Sequence, residues 1–164
     1  MKIIYTLLLS SLLVSCGIYS FTGASIPTEA KTVSVQYFKN KAATVQPTLS
    51  QVFTERLKDM FLEQTNLTLS ENEGELSFSG HISKYQIKPM AIKANETAGK
   101  NRLTIAIKVT YNNSFNTEDN FENTFSRYRD YDSAGSISEV EGTLIEEITN
   151  EIAEDVFNKA FVNW

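Results

Sequence analysis

Residues Leu103-Thr104-Ile105-Ala106-Ile107-Lys108-Val109-Thr110-Tyr111-Asn112 decide the fold. Leu103, Ile105, Ile107, Val109 and Tyr111 take every second position, Thr104, Ala106, Lys108, Thr110 and Asn112 fill the gaps, and a two-residue period is what puts the apolar set on one side. The stretch reads as a half-buried β-strand. Upstream, Leu76, Phe78, Gly80 and Ile82 share one parity whereas Tyr85 and Ile87 take the other. A parity change inside a strand is what one extra residue produces, so a β-bulge is expected near Ser83 and Lys84. Downstream, Asn116 to Asn120 is polar turn material, and Phe121 to Asp132 returns as a strand with Phe121 and Phe125 on one face.

Further out the pattern becomes mixed. Val33, Val35 and Tyr37 alternate with Ser34, Gln36 and Phe38, which predicts a first strand; residues 67–69 offer the start of another, and Asn72-Glu73-Gly74 a turn. From Pro47 onward Leu49, Val52, Phe53, Leu57, Met60 and Phe61 recur at helical offsets, with Glu55, Arg56, Lys58, Asp59 and Glu63 opposite. After Ser136 and Ser138, each followed at capping-box spacing by Glu139 or Glu141, a second stripe runs through Val140, Leu144, Ile145, Ile148, Ile152, Val156, Phe157 and Phe161. The expected architecture is therefore α+β, with two helices packed on one face of a mixed four-stranded sheet in the order β-α-β-β-β-α. A right-handed crossover passes through the first helix. No internal repeat is visible.

Composition narrows the function. The chain has 164 residues, 41% of them hydrophobic, and a net charge of -5. That suits one globular domain, and without a long basic run it argues against a nucleic-acid partner. A single Cys and a single His leave no intramolecular disulfide, no Cys/His zinc site and no serine triad except one through His81. His81 takes the parity opposite Leu76 and Ile82 and reads as a structural or solvated histidine. Arg127 and Arg129 precede Asp130-Tyr131-Asp132, charges that at a strand end are usually solvated or paired. No catalytic residue, metal site or cofactor is expected, and an enzyme is a distant third reading.

The N-terminus reads as a targeting segment. Met1-Lys2 is a short positive start, Ile3 to Val14 is an apolar run, and Ser15-Cys16-Gly17 are small. The run falls short of the roughly 20 apolar residues that span a bilayer, so residues 1–15 are expected to be a removed signal peptide. Leu13-Val14-Ser15-Cys16 resembles the bacterial lipobox, which implies that Cys16 carries diacylglycerol and becomes an acylated N-terminus. Two or more acyl chains anchor stably where one does not. Gly17 after the cysteine resembles the sorting signal for the outer membrane, here with the protein on the periplasmic side. Residues 16–31 then form a lipidated tether and 32–164 a single domain, with Ile18, Tyr19, Phe21 and Ile26 apolar enough for part of the tether to dock.

The basic residues Lys84, Lys88, Lys93, Lys100 and Arg102 gather in one segment while acids concentrate in the helices. They could meet an anionic lipid headgroup or phosphate, or simply solubilise the surface.

Taken whole, the chain resembles the LptE-like lipopolysaccharide-assembly lipoproteins of Gram-negative outer membranes. The resemblance is carried by Cys16 to Gly23, the strand Thr32 to Phe38 ending in Lys39-Asn40, the helix from Pro47, and Asn101 to Ile105. It continues through Phe125-Ser126-Arg127, Asp130 to Ser133, and the closing helix with Phe157-Asn158 and Asn163-Trp164. It implies a non-enzymatic protein, two helices on a sheet, seated as a plug in the lumen of the LptD β-barrel and assisting barrel assembly and lipopolysaccharide delivery. Outer-membrane lipid, through Cys16, would be its anchor. The second reading is a lipid-anchored ligand-binding or envelope-structural domain acting alone around a closed apolar cavity.

Overall fold

The computed structural model describes residues 26–90 and 99–162. Strands β1 (Thr32–Val35), β2 (Lys39–Asn40), β3 (Thr68–Leu69), β4 (Leu76–Pro89), β5 (Lys100–Asn113) and β6 (Phe121–Asp132) form one mixed sheet. Its order is β3-β1-β4-β5-β6, with β2 also pairing β4. β1 runs parallel to β3 and β4, and β4, β5 and β6 are antiparallel neighbours. Helices α1 (Leu49–Gln64) and α2 (Ile137–Phe161) complete the α+β fold.

The sheet has six strands rather than the expected four: β3 falls at Thr68–Leu69, inside the 67–69 stretch that offered the start of a strand, and β2, like β3, is only two residues long. A segment that short has no period to read. The first strand also ends sooner than its alternation implies. Tyr37, on the expected apolar parity, is 56% exposed, whereas Phe38 is fully buried. The cause lies in α1: the Phe38 N–H donates to Thr54 Oγ1 at 3.1 Å, and the Phe38 ring stands edge-on to Phe53 with centroids 5.0 Å apart.

The bulge falls where the parity changes. Register shifts between Ile82 and Lys84, and the extra residue, Ser83, donates its hydroxyl to the Ala106 carbonyl at 3.1 Å. Gly80 on the same strand has φ 151, and a Cβ there would lie 2.0 Å from the Lys108 carbonyl oxygen and 2.8 Å from the Phe38 ring.

Both helices cover the same face of the sheet. Phe61 of α1 and Phe161 of α2 both meet Phe78 of β4, at 4.6 and 6.2 Å between centroids, and Phe78 stacks on Tyr111 of β5 at 4.7 Å. Such offset and edge-on rings fill the space between helices and sheet and contribute beyond their buried area. Ile26 and Ala30, from the expected tether, pack on this core. Cys16, Ile18, Tyr19 and Phe21 lie outside the described residues, as do Asn163 and Trp164.

The helix starts differ from the sequence expectation. At α1, Gln46 Oε1 accepts the backbone N–H groups of Thr48 and Leu49 at 2.7 and 2.8 Å, filling the role of a cap from outside the helix. At α2, Ser136 is the N-cap residue, but its side chain makes no cap bond. Its hydroxyl lies 2.8 Å from that of Ser138 instead, and Glu141 bonds the Tyr85 hydroxyl. The capping box is not formed. No helix among the described residues is long and apolar enough to cross a membrane.

Candidate functional site

Because the helices occupy one face of the sheet, the other is open, and strand parity decides what it displays. Register puts Lys84 opposite Ala106, Gln86 opposite Thr104, Lys88 opposite Arg102 and Arg102 opposite Asp130. Lys84, Lys88, Lys100 and Arg102 thus share the open face at the end of the β4–β5 hairpin, while Lys93 lies outside the described residues.

These cations are not equivalent. Arg102 is held along its edge by a carboxylate and on one face by an aromatic ring. Its Nε and Nη2 donate to the Asp130 carboxylate at 2.7 and 2.8 Å, and its guanidinium sits 3.7 Å from the centroid of the Tyr128 ring. The paired guanidinium holds the Asp130 carboxyl below the usual carboxylate range. Lys100 stands opposite Asp132 in the ladder. Lys84 and Lys88 are exposed, and neither forms an ion pair among the described residues. Lys88 stands directly across from Arg102, whose charge Asp130 already offsets, so Lys84 and Lys88 are cations of this end left to solvent among the described residues.

The rest of the charge is arranged around that end. Lys39, His81 and Lys108 line up across three strands of the open face, with Lys108 Nζ 2.6 Å from Glu122. Sequence reading missed this row, since only register brings β2 beside His81. Arg127 and Arg129 point to the helix side. Arg127 forks onto Asp155 at 2.6 and 2.7 Å, and Arg129 bonds Glu147 at 2.8 Å and Glu151 at 2.5 Å. The structure therefore separates Arg127 and Arg129 from Asp130 rather than gathering them, and uses them to pin α2 to β6.

The opposite end of the sheet is acidic. Glu71, Glu73 and Glu75 precede β4, and Glu118 and Asp119 form the turn between β5 and β6. The chain enters β1 at this end, since Val33 pairs Leu76 and Leu76 pairs Asn113. At about 3.3 Å per strand residue, the distance along β4 from Leu76 to Lys88 is about 40 Å. The free lysines are thus held far from the point where residues before Thr32 leave the sheet. Two open clefts accompany the sheet edges, one of about 730 Å³ between Val35, Leu69 and Lys58, the other of about 430 Å³ along β6 beside Glu151. No group of three or more His, Cys, Asp or Glu among the described residues is placed to hold a metal.

Solved structures share the architecture. A minor lipoprotein from Acinetobacter baumannii superposes with a TM-score of 0.51 at 12% identity, covering 79% of this chain and 91% of its own. A hypothetical protein from Chlamydia trachomatis gives 0.52 at 9% identity, covering 82% and 99%. A homologue of the neuraminyllactose-binding hemagglutinin from Helicobacter pylori gives 0.53 at 10% identity, covering 85% and 87%. At these identities the likeness is one of fold alone. No curated protein sequence matches the chain. The family model LptE, lipopolysaccharide-assembly, matches residues 30–160, from the turn before β1 to the last turn of α2. The chain belongs to the LptE lipopolysaccharide-assembly family.

Proposed function

We propose that this protein is the plug and assembly partner of an LptD-type outer-membrane β-barrel, acting in the delivery of lipopolysaccharide to the cell surface. The family match across the whole folded domain carries the reading. The packing supports it: aromatic rings fill the interior between helices and sheet, and the clefts described are open ones at the sheet edges. A body of this kind works through its outer surface, which favours it over a lone ligand carrier with a closed apolar cavity.

In this reading Cys16 carries the acyl chains, residues 16–31 connect them to β1, and the domain is held on the periplasmic side of the outer membrane. Lys84 and Lys88, with Lys100 and Arg102 beside them on the open face, meet the phosphate groups of lipopolysaccharide, and Lys93 is assigned to the same contact from its place in the sequence. A segment of this length reaches at most about 50 Å when fully extended. The basic end, about 40 Å along the strands, is thereby directed away from the anchoring leaflet and toward the cargo.

Affinity capture from gently solubilised membranes tests the proposal, with the captured partner weighed by mass. A large outer-membrane barrel in a stoichiometric complex is expected; recovery of the free monomer alone would refute it. Cys16→Ala is the companion variant, and it is expected to lose its own attachment to lipid while keeping its attachment to the barrel.

A further inference from the structure

The open face of the sheet carries an inference that deepens the cargo part of the proposed function and rests on it. Register lays three rows across β4, β5 and β6 there: Lys84, Ala106 and Ser126; then Gln86, Thr104 and Tyr128; then Lys88, Arg102 and Asp130. Successive rows lie about 7 Å apart and neighbouring strands about 4.8 Å apart. The middle row ends in an aromatic ring. Tyr128 is 51% exposed although the Arg102 guanidinium sits 3.7 Å from its ring centroid. Arg102 is itself forked onto the Asp130 carboxylate at 2.7 and 2.8 Å. The ring is thus backed by a cation that is fixed in turn by a carboxylate, and half of the side chain still faces solvent. A contact group supported in this way is set in place before any ligand arrives.

An aromatic face is electron-rich and packs against the C–H face of a sugar ring, whose hydroxyls point outward around its rim. Gln86, Thr104 and Ser126 surround Tyr128 on the open face, and amide and hydroxyl side chains both donate and accept, as sugar hydroxyls do. Lys84 and Lys88 flank the same row, about 13 Å apart along β4. Neither forms an ion pair among the described residues, so their ammonium groups reach a ligand over Gln86 and Tyr128 from its two ends. We propose that Tyr128 is a specificity-determining platform on which a phosphorylated sugar of the lipopolysaccharide head stacks, its phosphates on Lys84 and Lys88 and its hydroxyls on Gln86, Thr104 and Ser126. Arg102 and Asp130 are positioning residues, because their charges offset each other and hold the ring. Lysines alone take any phosphate. The ring selects the sugar that carries it.

The test titrates the full chain in detergent, with no barrel present, against three soluble probes: lipopolysaccharide stripped of its acyl chains, the same oligosaccharide after removal of its phosphates, and inorganic phosphate. The native chain is expected to bind the phosphorylated oligosaccharide most tightly. Tyr128→Ala is expected to weaken that binding about three- to tenfold and to leave the affinity for inorganic phosphate unchanged, while Tyr128→Phe, which keeps the ring, binds as the native chain does. Tyr128→Thr, with a residue that favours strands, takes the place of Tyr128→Ala should that variant unfold. Unchanged oligosaccharide binding in the folded variant without a ring would overturn this proposal and leave the cargo reading standing. An equal loss of inorganic phosphate binding, or a Tyr128→Phe variant as weak as Tyr128→Ala, would also overturn it by reducing the ring to a structural support. Equal affinity of the native chain for the phosphorylated and dephosphorylated oligosaccharides, or binding of neither, would overturn it together with the cargo reading, whereas the plug reading is decided separately by capture of the barrel.

Discussion

Thr32 and Glu75 bond each other in both directions. The Thr32 N–H and hydroxyl donate to the Glu75 carboxylate at 2.9 and 3.1 Å, and the Glu75 N–H donates back to Thr32 Oγ1 at 3.1 Å. With a further bond from the Lys31 N–H at 2.7 Å, this carboxylate fixes the point where the chain leaves the expected tether and enters β1. The Lys31 and Thr32 N–H groups hold its carboxyl below the usual carboxylate range. A depressed folded pKa contributes stability above the unfolded value, about 4.3, and loses it as pH falls through the folded one. Urea midpoints near pH 7 and pH 3 should show that Glu75→Gln is destabilised at the higher pH and approaches the native chain at the lower. A variant deficit independent of pH would contradict this role.

Gly80 is required where the β4 backbone passes Phe38 and the Lys108 carbonyl. Gly80→Ala combines a disfavoured φ with a contact no side chain can clear, and the expected loss is about 1–3 kcal/mol or more. Gly142 on α2 is the control, because a Cβ there meets nothing within 4 Å. Gly142→Ala should gain about 0.5–1 kcal/mol. Equal effects in thermal unfolding would show that Gly80 is replaceable.

Much of this was legible in the sequence where a period ran long enough. The alternation in β5, the bulge at Ser83, the stripe of α1 and that of α2 from Leu144 onward appear at the expected residues, because one buried face imposes one parity, whereas Val140 and Ile87, expected in the apolar set, are exposed. The other exceptions are places where a single tertiary contact overrides the pattern. Thr54 and Phe53 turn Phe38 inward, Gln46 caps α1 from outside, and Ser136 bonds Ser138 in place of a backbone group. The basic segment was visible as composition. Its division into a bound Arg102 and unpaired Lys84 and Lys88 needed the register that sets Asp130 and Tyr128 beside Arg102.

That division yields a prediction about cargo. Lys84→Glu with Lys88→Glu should weaken binding of purified lipopolysaccharide, and added salt should erase the difference because exposed charges beyond a Debye length of about 8–10 Å are screened. Folding stability should change by no more than about 0.5 kcal/mol, as neither lysine has a partner to lose. Unaltered binding at low salt would remove the basic end from the account.

Enclosure by a barrel is what distinguishes a plug from a one-sided partner. Photo-crosslinking residues placed in living cells at Lys88, on the open sheet face, and at Glu146, on the outward face of α2, sample opposite sides of the domain. The account predicts that both label the same large outer-membrane barrel protein. Labelling from one face only, or labelling of lipid and small partners from both, would contradict it.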